Sequence, residues 1–182
     1  MSIDSLKSLL NDFDPGSLIP SVESLTSHLP GIIRFAVVVG PLVLLIFGLL
    51  YLFFAPKEAN YSLGFRSFWG MASVESWQFT QFVAGVVWTV LGFILRLWVK
   101  SSFADVADLE VTELLFKAIS AIVDEIIWAV ISIVLINLVV IVFYDFNGNR
   151  RAFAKGWTLV PDFRGMLVKL FGKAKALIPA KK

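Results

Sequence analysis

Residues 32–54 read Ile-Ile-Arg-Phe-Ala-Val-Val-Val-Gly-Pro-Leu-Val-Leu-Leu-Ile-Phe-Gly-Leu-Leu-Tyr-Leu-Phe-Phe. In these 23 residues the only charge is Arg34, two places from the start. At about 1.5 Å per residue the run covers about 34 Å, enough for a hydrocarbon core of about 30 Å with some tilt. Arg34 can snorkel to the interface, and Pro41 is a tolerated kink inside a membrane helix. Two further runs repeat the pattern. Trp77 to Trp98 has no charge over residues 78–95, and an indole stands at each end, where the interface favours it. Ile126 to Tyr144 is the third.

The whole chain agrees with this reading. It has 182 residues, 58% hydrophobic and 16% charged, with mean hydropathy +0.81. Soluble domains carry about 25% charged residues. The fold class expected is all-α, an integral membrane protein with three transmembrane helices and amphipathic interfacial helices at both ends. No cysteine is present and His28 is the single histidine, which removes disulfides, thiolate or histidine metal clusters and cysteine nucleophiles. No carboxylate pair, Ser/His/Asp set or phosphate loop has usable spacing. The expectation is therefore a protein with no cofactor and no metal, not an enzyme.

Five segments follow. Residues 1–31 are too polar for a signal peptide. Ile3, Leu6, Leu10 and Phe13 recur at helical spacing, Asp14-Pro15-Gly16 breaks the pattern, and a weak helix is expected over 20–29. Residues 32–98 form a two-span unit around a loop at 55–76. Within the second span Gly85 and Gly92 are candidates for close helix packing. Residues 99–125 are acidic and extend the third helix backwards to about Thr112, giving one helix of about 30 residues; a turn at Asp124-Glu125 is the alternative. Both carboxylates are expected to be hydrated at the membrane edge. Residues 126–144 are the third span, where Asn137 is expected to bond to another helix.

Residues 145–182 form a basic tail. Arg150, Arg151 and Lys155 precede a predicted helix over 162–177. There Leu167, Leu170, Phe171, Ala174 and Leu177 oppose Arg164, Lys169, Lys173 and Lys175. These seven basic residues are the candidate contacts to anionic lipid. Nucleic acid is not expected, since no aromatic stacking platform accompanies the charge. Residues 1–144 carry 7 Lys/Arg against 12 Asp/Glu, whereas 145–182 carry 9 against 2. The positive-inside rule thus places the C-terminus in the cytoplasm, the 55–76 loop on the same side and the acidic segment outside.

The loop is unusually dense: Asn60-Tyr-Ser-Leu-Gly64-Phe-Arg66-Ser-Phe-Trp-Gly-Met-Ala-Ser73-Val-Glu75-Ser-Trp77-Gln-Phe-Thr-Gln81. Gly64 allows backbone angles that a Cβ excludes, and Arg66 offers a rigid fork of donors. Ser73 is an expected N-cap, with Glu75 in the first turn of the helix. A pair between Arg66 and Glu75 is one expectation, and Trp77 anchoring in the interface is another. Asn60, Gly64, Arg66, Ser73, Glu75 and Trp77 together resemble the signature of the SdpI-like bacterial membrane protein family. Phe65 stands where that family usually has Tyr, Ser67 where it has Thr, and Phe68 replaces a usual Pro. The resemblance covers about residues 42–98.

This resemblance implies a multi-pass protein of the bacterial cytoplasmic membrane that acts by binding. The best-known member confers immunity to a secreted toxic peptide and sequesters a repressor at the membrane. The partners expected are anionic lipid, a protein partner or second copy, and a toxin peptide. The alternative is an accessory subunit of a larger membrane complex.

Overall fold

The computed structural model describes residues 22–60, 62–106, 109–157 and 160–161, with 165 and 169. Three helices account for most of them: α1 over Val22–Phe54, α2 over Val74–Ser102 and α3 over Val111–Phe143. All three are long and apolar enough to cross a membrane. No strand occurs among the described residues; a lone bridge joins Tyr144 and Arg150.

The helices run up, down and up. Gly92 faces Pro41 and Leu45, and Gly85 faces Leu52, so α1 and α2 are antiparallel. A Cβ on Gly92 would stand 2.6 Å from the Leu45 nitrogen and 2.7 Å from the Pro41 carbonyl oxygen. The two backbones touch because no side chain separates them, which is how membrane helices gain dispersion contact without a hydrophobic drive. Helix α3 closes the bundle. Near its start, Leu114, Ala118 and Ala121 pack with Val99, Phe103 and Val106, and with Ile33 and Val37 of α1. Near its end, Ile136, Val140 and Tyr144 pack with Tyr51, Phe65 and Phe79. Most other α3 side chains face outward, including Ile127, Trp128, Val134 and Leu138. Such exposure is what a lipid solvent requires.

Several expectations need adjustment. Helix α1 begins by Val22 and runs through Pro30, so the weak helix over 20–29 is the start of the first span and no break falls at residue 31. Helix α3 is continuous through Asp124-Glu125, so the turn does not occur. Glu125 is buried at 7% exposure, against the expected hydration, because the bare backbone of Gly40 leaves room for its carboxyl; Asp124 is exposed. Asn137 donates to the Ile133 carbonyl at 2.8 Å within its own helix and not to a neighbouring one. Its position on α3 faces away from the packed side, leaving the carbonyl one turn back as the acceptor in reach. The helix expected over residues 3–13 lies outside the described residues, as do Arg164, Lys173 and Lys175.

Candidate functional site

The signature residues gather where α1 and α3 end and α2 begins. Helix α1 stops at Phe54, before Pro56, and the chain turns. Asn60 makes the first corner: its Oδ1 accepts from Ser62 N at 3.0 Å and from Leu63 N at 3.1 Å. This side-chain turn replaces a backbone one. Gly64 follows at φ +138°, a region L-residues avoid. Trp77 lies directly against it. The indole is fully buried and its Nε1 donates to the Pro56 carbonyl at 2.9 Å. It therefore braces both ends of the loop and does not anchor in the interface. The missing Cβ at residue 64 is what gives the ring its place.

One turn further along α2, Gln81 reads the loop backbone with both ends of its amide. Its Oε1 accepts from Phe65 N at 2.7 Å, and its Nε2 donates to Phe65 O at 2.8 Å. Gln81 is 2% exposed, so water cannot replace these bonds. Phe65 itself is buried edge-on to Trp88, with ring centroids 5.5 Å apart. The Ser67 hydroxyl then accepts from Gly70 N at 3.0 Å and tightens the turn that leads into α2.

Ser73 caps α2. Its Oγ accepts from Ser76 N at 3.1 Å, and Ser76 Oγ accepts from Ser73 N at 3.0 Å, a reciprocal box. Ser73 Oγ also donates to the Gly148 carbonyl at 2.7 Å. This bond joins the motif loop to a tight turn after α3. There Asp145 Oδ1 accepts from Asn147 N at 2.9 Å and Asn149 N at 2.8 Å. The backbone donor of Asn149, together with its side chain and the Asn147 amide, holds the Asp145 carboxyl below the usual carboxylate range. Gly148 sits at φ +73°, with Ser73 filling the space of its absent side chain.

Glu75 pairs with Arg150, not with Arg66. The reason is placement: the turn after α3 brings Arg150 beside the first turn of α2. Arg150 is 19% exposed and its Nη1 also donates to the Trp157 carbonyl at 2.6 Å. It is thus a structural clamp, which removes it from the lipid-contact set. Arg151 and Lys155 are exposed, although Arg151 Nε donates to the Ile141 carbonyl at 3.1 Å. Arg66 is exposed, as are Phe68, Met71, Phe146, Phe153 and Trp157 around it and the turn. Phe68, Trp69 and Phe146 stack with centroids 5.5–6.3 Å apart.

The structure therefore brings together Asn60, Gly64, Ser73, Glu75 and Trp77, and leaves Arg66 at the rim. The turn expected at Asp145–Asn149 is present; the sequence reading missed Gln81 and the bond from Ser73 to the Gly148 carbonyl. A glutamine four residues into the run from Trp77 to Trp98 is a signal for Gln81, because a buried amide demands partners. A cavity of about 250 Å³ lies behind the loop, lined by Tyr51, Pro56, Lys57, Gln78, Gln81 and Val160. A broader groove opens beside Ser73, Glu75, Asn149 and Lys155. Neither holds a nucleophile next to a base. No group of three or more His, Asp or Glu among the described residues could hold a metal ion.

Residues 57–145 match the SdpI/YfhL protein family, the family whose signature the motif resembles. The match starts at the loop and runs through α2 and α3 to Asp145. It extends past the stretch 42–98 at its C-terminal side, leaves out residues 42–56, and stops before Gly148 and Arg150, which brace the loop. No curated protein and no solved structure matches the chain.

Proposed function

We propose that this multi-pass membrane protein of SdpI type acts by binding at its braced loop, protecting the cell against a membrane-active peptide or recruiting a partner to the membrane. The observation that carries this reading is the division of labour within the loop. Asn60, Gly64, Ser73, Glu75 and Trp77 are spent on one another and on the turn after α3. Their rigidity presents Arg66, Phe68 and Met71 outward, a guanidinium beside apolar surface. Guanidinium binds carboxylate or phosphate, and aromatic groups favour the membrane interface where a toxic peptide would lie. The nine basic residues after Tyr144 support a cytoplasmic placement of this face, in the bacterial cytoplasmic membrane. Arg151, Lys155 and Lys169, all exposed, are its proposed contacts to anionic lipid.

The test is survival of a sensitive host challenged with the cognate peptide, carrying wild type, Arg66→Ala or Gly64→Ala at equal protein levels. Protection by wild type, lost in both variants, supports the reading. Protection retained by Arg66→Ala removes Arg66 from the binding face, and no protection by wild type removes immunity to that peptide.

A second reading is an accessory subunit of a larger complex. The broad outward face of α3 favours it, since Asn137 places an amide among apolar residues there. Native mass spectrometry from membranes decides this. A partner-free monomer would end the reading.

A further inference from the structure

Among the described side chains, Glu125 is the one carboxylate of the three helices that the bundle buries. Its carboxyl occupies the space where a side chain on Gly40 would stand. Oε1 is buried with no hydrogen-bond partner. The other titratable groups with described side chains on the helices packed against it are His28, Arg34 and Tyr51 on α1, and Glu75, Arg96 and Lys100 on α2. On its own helix they are Glu113, Lys117 and Asp124. Apart from Tyr51, all of these are exposed, and none is paired with Glu125. From Glu125 to Phe143 is 18 residues, about 27 Å at about 1.5 Å per residue. From Val111 it is 14 residues, about 21 Å, so the group lies inside the bundle and somewhat nearer the end opposite the motif loop.

Burying an unpaired carboxylate costs so much that the group takes up a proton instead. A divalent cation needs six or more oxygens, which this neighbourhood does not supply. Residue 41 is proline, so the Val37 carbonyl, one turn before Gly40 on α1, lacks its helical donor.

We propose that Glu125, seated on Gly40 between α1 and α3, is a reversible proton-binding site of the bundle. It is a carboxylic acid while α1 lies closed on α3, and it exchanges its proton with water on the side away from the motif loop when the two helices part. Loss of the proton then loosens α1 from α3.

The experiment is infrared spectroscopy of the full chain in lipid vesicles over a pH series, comparing wild type with Glu125→Gln, Glu125→Asp and Asp124→Asn. A protonated-carboxyl band is expected in wild type, absent in Glu125→Gln and unchanged in Asp124→Asn. In Glu125→Asp it is displaced and still present, which separates loss of the group from loss of the fold. Raising the pH from about 5 to about 9 should remove the band, the range in which buried Glu residues titrate. Gly40→Ala, which fills the seat, should lower proton affinity at least tenfold. No such band across this range overturns the proposal, as does a band lost in Asp124→Asn, a band indifferent to pH, or one whose titration Gly40→Ala leaves unshifted.

Discussion

Gly64→Ala isolates what the loop depends on, and its cost can be worked out from two features of the site. A Cβ at residue 64 would lie 2.5 and 2.6 Å from Trp77 Cη2 and Cζ2, and 3.0 Å from Gln81 Oε1. Neither neighbour can retreat cheaply, because the indole is bonded to Pro56 O and the amide to Phe65 at both ends. Overpacking of this kind costs about 1–3 kcal/mol. Holding alanine at φ +138° costs about 1–3 kcal/mol more. The sum is about 2–6 kcal/mol. In a chain of this size about 1 kcal/mol moves the midpoint by about 2–4 °C, so a fall of at least about 4 °C is expected. Other glycines supply the controls. Gly31→Ala meets nothing within 4 Å in a helix and should be neutral or slightly stabilising. Gly156→Ala meets nothing either but sits at φ +90°, so it reports backbone strain alone. Gly92→Ala reports crowding alone, against the α1 backbone. The assay is thermal unfolding in detergent, with labelling of a single cysteine at Ser62 as a local reporter, clean because the chain has no other. If Gly64→Ala costs no more than Gly156→Ala, the contact between Gly64 and Trp77 does not brace the loop and the reasoning fails.

Other outcomes follow from the same site. Gln81→Ala removes two buried bonds and leaves the Phe65 amide and carbonyl unpaired, so it should cost about 2–4 kcal/mol and raise amide exchange at Phe65. The Glu75–Arg150 pair is partly exposed and should show a coupling of only about 0.5–1 kcal/mol in a double-mutant cycle. Arg150→Ala alone should cost more, because the Trp157 carbonyl also loses its donor. Asp145 is acidified by its amide donors in the folded turn, so its support is present above the ordinary carboxylate range and lost as pH falls through the lower folded value. Exchange of the Asn147 and Asn149 amides should stay slow at about pH 5 and quicken only below about pH 4, while Asp145→Asn should show no such pH step. An impermeant thiol reagent added outside intact cells should label a cysteine at Asp105 and spare one at Ser62; the reverse pattern would invert the topology.

The long runs at 32–54, 77–98 and 126–144 made the three spans legible, because a helix is the way an isolated apolar segment satisfies its backbone in lipid. Ser73 and Glu75 were legible as a helix start for equally local reasons. What stayed hidden depends on contacts between distant segments. Pairing of Glu75 with Arg66 or with Arg150 turns on where α3 ends, and no local spacing records that. Glu125 next to Asp124 in sequence gives no hint that one faces outward and the other faces Gly40. Trp77 at the head of a span fits an interfacial anchor until Gly64 supplies the space that buries it.

The bond from Ser73 to Gly148 crosses 75 residues, and the Glu75–Arg150 pair crosses as many. Spans enter the membrane in order as the chain is made, so the loop leaves the ribosome well before the residues that lock it. During that interval the capped end of α2 has no partner for its hydroxyl, and the face carrying Arg66 is not yet fixed. A chain halted after α2 would hold every signature residue and still lack the finished surface. The binding face is in this sense a late product of synthesis, and its completion reports that the third helix has arrived.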